Sequence, residues 1–75
     1  MRHLDLSLLR TFVAICDESN FARAALKVHK SQPAISQQMR RLEEELQVSL
    51  FFKQGRQKQL TPAGIRLAEY ARRLL

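Results

Sequence analysis

The sequence predicts a small, mainly α-helical domain carrying one β-hairpin, and three observations lead there. Apolar residues recur at helical spacing over several separate stretches, and the short polar residues Asp5, Asn20, Ser31 and Thr61 stand ahead of them as candidate caps. Residues 50–61 break the helical pattern and read as two short strands around Gly55. Two prolines and two glycines leave little room for loops.

Each element has its own justification. The first helix is expected over residues 6–18, capped by Asp5, with Leu6, Leu9, Phe12, Val13 and Cys16 at helical spacing. Ser19-Asn20 interrupts it, and Asn20 caps a second helix over 21–28. Ala22, Ala24 and Ala25 keep that helix thin, so a neighbour's backbone can come close. His29-Lys30 forms a tight turn. Ser31 caps a third helix over 32–46, with Pro33 in the first turn, where its missing N–H is no loss. On a helical wheel Ile35, Met39, Leu42 and Leu46 make a narrow apolar stripe. Pro33, Gln37, Arg40 and Arg41 fall opposite, Ser36 lies at the edge, and Gln32 sits at the tip.

Residues 50–53 and 58–61 are strand candidates around a turn at 54–57, where Gly55 takes positive φ cheaply. This reads as a hairpin wing with a basic tip. Thr61 then caps a fourth helix, with Pro62 at its first position. That helix has two apolar stripes. Leu67, Tyr70 and Leu74 make one, and Ala68, Ala71 and Leu75, with Ile65 at the edge, make the other. One can cover the domain. The second, assigned to Ile65, Ala68, Ala71 and Leu75, is left for a partner, most simply another copy of the same helix.

Charge and composition narrow the function. Thirteen Lys+Arg against seven Asp+Glu give a net charge of +6, which calls for a polyanion, most commonly nucleic acid. An anionic membrane surface competes, but no helix concentrates Lys and Arg opposite a large aromatic face. No apolar run approaches the roughly 20 residues that span a bilayer, and no signal peptide is expected. Cys16 is the only cysteine, which suits a reducing cytoplasm, and its place on an apolar stripe favours core packing over redox sensing. His3 and His29 lack partners at ligand spacing, so no metal is expected. No nucleophile stands beside a base, and an enzyme is disfavoured.

The third helix supplies the sharper reading. Its first turns present Gln32, Ser36 and Gln37 beside Lys30, which is how a helix reads base edges in a DNA major groove; capping and solvation of a helix start is the plainer alternative. Arg40 and Arg41 lie more than a turn deeper and suit phosphates. Glu43-Glu44-Glu45 would be repelled by phosphate, so this end of the helix is expected to stand clear of the duplex. Pairing of these carboxylates with Arg40 and Arg41 is an equally compatible reading.

In order and spacing, Leu6-Ser7-Leu8-Leu9-Arg10-Thr11-Phe12, Asn20-Phe21-Ala22-Arg23-Ala24-Ala25, Ser31-Gln32-Pro33-Ala34-Ile35-Ser36, Arg41-Leu42-Glu43-Glu44-Glu45-Leu46 and Leu60-Thr61-Pro62-Ala63-Gly64 resemble the DNA-binding domain of bacterial LysR-type transcriptional regulators. The resemblance implies a winged helix-turn-helix, a three-helix core plus hairpin wing over 1–61, followed over 62–75 by the start of a long linker helix. It implies dimers through that helix, tetramers in many full-length proteins, and a C-terminal effector domain, absent from this chain, that binds a small molecule. No cofactor is expected on the chain itself. DNA contact is implied for Gln32, Pro33, Ser36 and Gln37 in the recognition helix, which are assigned to base readout, and for Arg56 near the wing tip. Lys30, Ser31, Arg40, Arg41, Lys53, Arg56 and Lys58 are assigned to the DNA backbone. Three departures bear on the operator and the helix end: Gln37 and Lys53 stand where relatives often carry arginine, and Gln47 where they usually carry glycine. A glutamine favours adenine where a bidentate arginine favours guanine.

The sequence thus predicts a cytoplasmic, dimeric, sequence-specific binder of double-stranded DNA on an interrupted inverted repeat. Two other classes compete. A sequence-neutral architectural protein would use charge alone. A protein-interaction module on the same scaffold would not bind DNA at low salt.

Overall fold

The computed structural model describes residues 5–75. Residues 1–4, and with them the candidate ligand His3, lie outside the described residues. The order is α1 (Leu6–Glu18), α2 (Phe21–Lys27), α3 (Gln32–Leu46), β1 (Phe51–Gln54), β2 (Gln57–Leu60) and α4 (Pro62–Leu74).

Capping chemistry sets the starts. The Asp5 carboxylate accepts from the Ser7 N–H, Asn20 from Arg23, Ser31 from Ala34 and Thr61 from Gly64. The Ser7 hydroxyl and N–H hold the Asp5 carboxyl below its usual range. Helix ends are less ordinary. Ser19, His29 and Gln47 all adopt positive φ without being glycine. At His29 the turn closes as a Schellman motif: His29 N–H donates to the Leu26 carbonyl and Lys30 N–H to Ala25. The same pair of bonds recurs at Gln47 and Val48, onto Glu44 and Glu43. Gln47 therefore closes α3 in the left-handed conformation despite its side chain, at φ 58°.

Helix α1 is the hub, packing against α2, α3 and α4. Its Leu8, Phe12 and Ile15 meet Ala24 and Ala25 of α2 and Ile35, Met39 and Leu42 of α3 in one core cluster. The thinness of α2 comes from Ala24 and Ala25; Ala22 is exposed. Cys16 is half-buried against this core, and burial pushes its thiol pKa up, which leaves the reactive thiolate scarcer.

The hairpin differs by one residue from the expected strands. Gln54 pairs directly with Gln57, so only Gly55 and Arg56 form the loop. Gly55 has φ +64° and Arg56 is not among the positive-φ residues, the φ signature of a type II′ turn. At Leu50 the ladder is half kept: its carbonyl accepts from the N–H of Thr61, the next partner in register, but its own N–H donates to Glu43 Oε2 instead of across the hairpin.

The fourth helix docks with the stripe that the sequence assigns to a partner. Gly64, Ala68 and Ala71 face the domain, Ala71 fully buried, whereas Tyr70 and Leu74 are half exposed. The partner assignment of Ala68 and Ala71 is therefore corrected; of that set, Ile65 and Leu75 stay exposed. Small residues one helical turn apart let α4 come close to the domain, and Leu67 of the other stripe packs partly buried beside them while Tyr70 and Leu74 stay outside. Arg72 Nη2 lies 2.8 Å from Asp17 Oδ1, linking α4 to α1.

Candidate nucleic-acid interface

Burial of Ile35, Met39 and Leu42 fixes the rotation of α3. The opposite face is then turned outward: Gln32, Pro33, Gln37, Arg40 and Arg41 are exposed and Ser36 is half-buried. Rotation is also pinned by a polar contact, because the buried Thr11 hydroxyl of α1 lies 3.0 Å from Gln38 Oε1. Lys30 and Ser31 are exposed just ahead of the helix, where Ser31 Oγ accepts the Ala34 N–H at 3.2 Å. Arg41 lies on the α1 side, where its charge helps lower the Asp5 pKa.

The hairpin stands next to this edge because aromatic rings anchor its base. Phe51 packs edge-on against Phe12 at 5.8 Å and Phe21 at 5.3 Å between centroids. Lys58 Nζ lies 4.8 Å over the Phe21 ring, so this wing cation is held against α2. The result is one open cleft lined by Gln32 and Ser36 from α3, Lys53, Arg56 and Lys58 from the hairpin, and Asn20 from the start of α2. Gln37, Pro33, Lys30 and Arg41 are not among the residues lining it, and Arg40 borders a smaller crevice between α3 and β1.

Within the hairpin, Lys53 and Lys58 are direct cross-strand partners. Like charges in that position destabilise a hairpin. Placing two lysines opposite each other beside a cleft is intelligible if an anion lies between or over them.

Several contributors are silent in the sequence pattern. Glu43 does not belong to a solvated acidic face: it is half-buried, and its Oε2 accepts the N–H groups of Leu50 at 2.7 Å and Phe51 at 3.3 Å. Gly64 has no positive φ, yet a Cβ there would collide with the Leu50 carbonyl oxygen. A glycine in the first turn of a helix, where left-handed geometry is not needed, was the available signal for such a close approach. The Lys53–Lys58 pairing follows once the loop is known to be two residues long. Among the described residues no group of three or more His, Cys, Asp or Glu could hold a metal, and no helix is long and apolar enough to cross a membrane.

Residues 6–65 match the family model described as bacterial regulatory helix-turn-helix protein, lysR family. The chain belongs to that family. It is a winged helix-turn-helix DNA-binding domain of a LysR-type transcriptional regulator, and its relatives are regulators rather than enzymes. The chain is 52% identical over 73 residues to the HTH-type transcriptional regulator PecT of Dickeya dadantii, covering 97% of this chain and 23% of that protein. It is 44% identical over 70 residues to the RuBisCO operon transcriptional regulator of Allochromatium vinosum, covering 93% of this chain and 23% of the relative. The chain thus spans about a quarter of the length of these two relatives. Among solved structures, BenM_DBD in complex with catB site 1 DNA superposes with a TM-score of 0.88 at 39% identity, covering 95% of this chain and 80% of that one.

Proposed function

We propose that this LysR-type domain reads operator DNA with the first two turns of α3 in the major groove and the hairpin wing on the flanking backbone or minor groove. The observation that carries the reading is the shared cleft: Gln32 and Ser36 on one wall, Lys53, Arg56 and Lys58 on the other. Gln32, Pro33, Ser36 and Gln37 are assigned to base edges. Lys30, Ser31, Arg40, Arg41, Lys53, Arg56 and Lys58 are assigned to phosphates. Phosphate contacts give affinity without sequence information, and the short polar side chains at the helix start give the discrimination.

Ile65 and Leu75, with Tyr70 and Leu74, are half-exposed apolar residues on α4 and support a homodimer through this helix, with tetramers in the full-length protein. Two copies would hold two recognition helices one or more DNA turns apart, on an interrupted inverted repeat. A small-molecule effector would act through a C-terminal domain. Operator binding places the protein in the cytoplasm, on the nucleoid.

Mobility shifts across a salt series test the reading. A selected duplex is expected to outcompete poly-dA·dT at every salt concentration, with affinity falling linearly on a logarithmic plot. Equal competition by both duplexes would reduce the domain to a charge-driven architectural binder, and no shift at low salt would remove the DNA role.

A further inference from the structure

Wing and recognition helix meet DNA together only if the angle between them is fixed. Both feet of the hairpin end on the same short segment. Thr61, just past β2, donates its N–H to the Leu50 carbonyl at 2.9 Å and its hydroxyl to the Ser49 carbonyl at 2.6 Å. At the other foot, the N–H groups of Leu50 and Phe51 donate to Glu43 Oε2 on α3. Leu50 is fully buried and Glu43 half-buried, so these charge-assisted bonds are partly sheltered from water. The crevice between α3 and β1 is lined by Ser36, Arg40, Glu43, Phe52 and Lys53, which puts the carboxylate at the junction of the two DNA-facing elements.

We infer that Glu43 is a positioning residue for operator binding: it ties segment 49–51, and through it both strands of the wing, to the recognition helix. It touches no DNA in this account, and an acidic group would be repelled by phosphate. It acts through Lys53, Arg56 and Lys58. Hydrogen bonds to charged groups are the stronger class, so losing this one frees the wing more than losing a neutral contact would. The phosphate contacts of the wing are then made at an entropic cost in the complex. The inference rests on the DNA-binding reading above.

The test is a double-mutant cycle between Glu43→Ala and Arg56→Ala, read as duplex affinity and salt slope alongside thermal melts. Arg56→Ala alone is expected to weaken binding about tenfold and to lower the salt slope by roughly 0.9, the value of one phosphate contact. In the Glu43→Ala background the same change is expected to cost less than about twofold, because the wing already contributes little there. Glu43→Gln, whose amide oxygen can accept both N–H groups, is expected to restore most of the Arg56 effect, which loss of charge alone would not predict. If Glu43→Ala does not fold, Glu43→Asp, one methylene too short to reach, carries the same cycle. An equal Arg56 cost in all backgrounds, or a Glu43→Gln protein that behaves like Glu43→Ala, overturns the inference while leaving DNA binding intact. Absence of binding by the unaltered chain would overturn the functional reading and this inference with it.

Discussion

Replacing Gly64 by alanine separates helix propensity from packing, because the two predict opposite signs. Gly64 lies in the first turn of α4 with ordinary helical φ, so alanine should favour the helix by about 1 kcal/mol on propensity alone. The structure argues otherwise. The new Cβ would overlap the Leu50 carbonyl oxygen and stand 3.0 Å from Leu60 Cδ2. The first clash is with backbone, which cannot swing aside like a side-chain tip. Relief requires α4 to move away from segment 49–50, and the bond from Thr61 N–H to that carbonyl, 2.9 Å long, goes with it. Overpacking of a tight site costs about 1–3 kcal/mol and the lost bond about 1 kcal/mol. Set against the propensity gain, Gly64→Ala should destabilise the domain by about 2 kcal/mol. For a domain of this size that is a fall in Tm of roughly 8–16 °C. Thermal and urea unfolding of the two proteins read this directly. An unchanged or raised Tm would refute the close approach of α4 to Leu50 and with it the account of how the wing base is held.

Three further outcomes follow from the geometry. Lys53→Thr removes a like-charge cross-strand pair, so the melting temperature should hold or rise slightly while duplex affinity falls and the salt slope drops by roughly 0.9; a variant that binds as before would remove Lys53 from the phosphate set. Gln47→Gly relieves a left-handed conformation that costs a non-glycine residue about 1–2 kcal/mol, set against greater unfolded-chain freedom of about 0.4–1 kcal/mol and the exposed Gln47 Nε2 bond to the Glu44 carbonyl. The net expectation is a stabilisation of about 0.5 kcal/mol in urea melts, and a clear loss would mean that the side-chain bond dominates. Leu74→Asp, on the half-exposed face of α4, should lower self-association in sedimentation with little change in Tm, whereas Ala71→Asp, fully buried, should lower Tm itself; the reverse pattern would return the partner face to the alanine stripe.

The helices were legible in the sequence because each start is a local event. Asp5, Asn20, Ser31 and Thr61 cap the helices whose starts they predict, and the stripe Ile35, Met39, Leu42 faces inward as its spacing requires. What stayed hidden depends on relations between elements. Both stripes of α4 are apolar, and only the close approach of α4 to its neighbours, Leu50 at Gly64 among them, decides that the small residues Gly64, Ala68 and Ala71 go inside. The hairpin register depends on whether Gly55 closes the loop in two residues, a choice that pattern counting over 54–57 leaves open. Glu43 looked like one of three solvated carboxylates because its two backbone partners are seven and eight residues away and carry no side-chain signature. The cleft could be anticipated residue by residue, but the neighbourhood of Ser36 and Lys58 rests on the Phe12, Phe21 and Phe51 contacts, which no periodicity announces.

The most direct measurement is selection of bound fragments from random duplex DNA, run in parallel with the unaltered chain and with Gln37→Arg. Gln37 is fully outward on α3 and lies outside the hydrophobic core, so the change should leave the fold intact. Both proteins should recover interrupted inverted repeats that differ at one position in each half-site, moving from adenine toward guanine as the side chain changes. Identical motifs from both, or no motif from either, would contradict the claim that the leading turns of α3 read the bases.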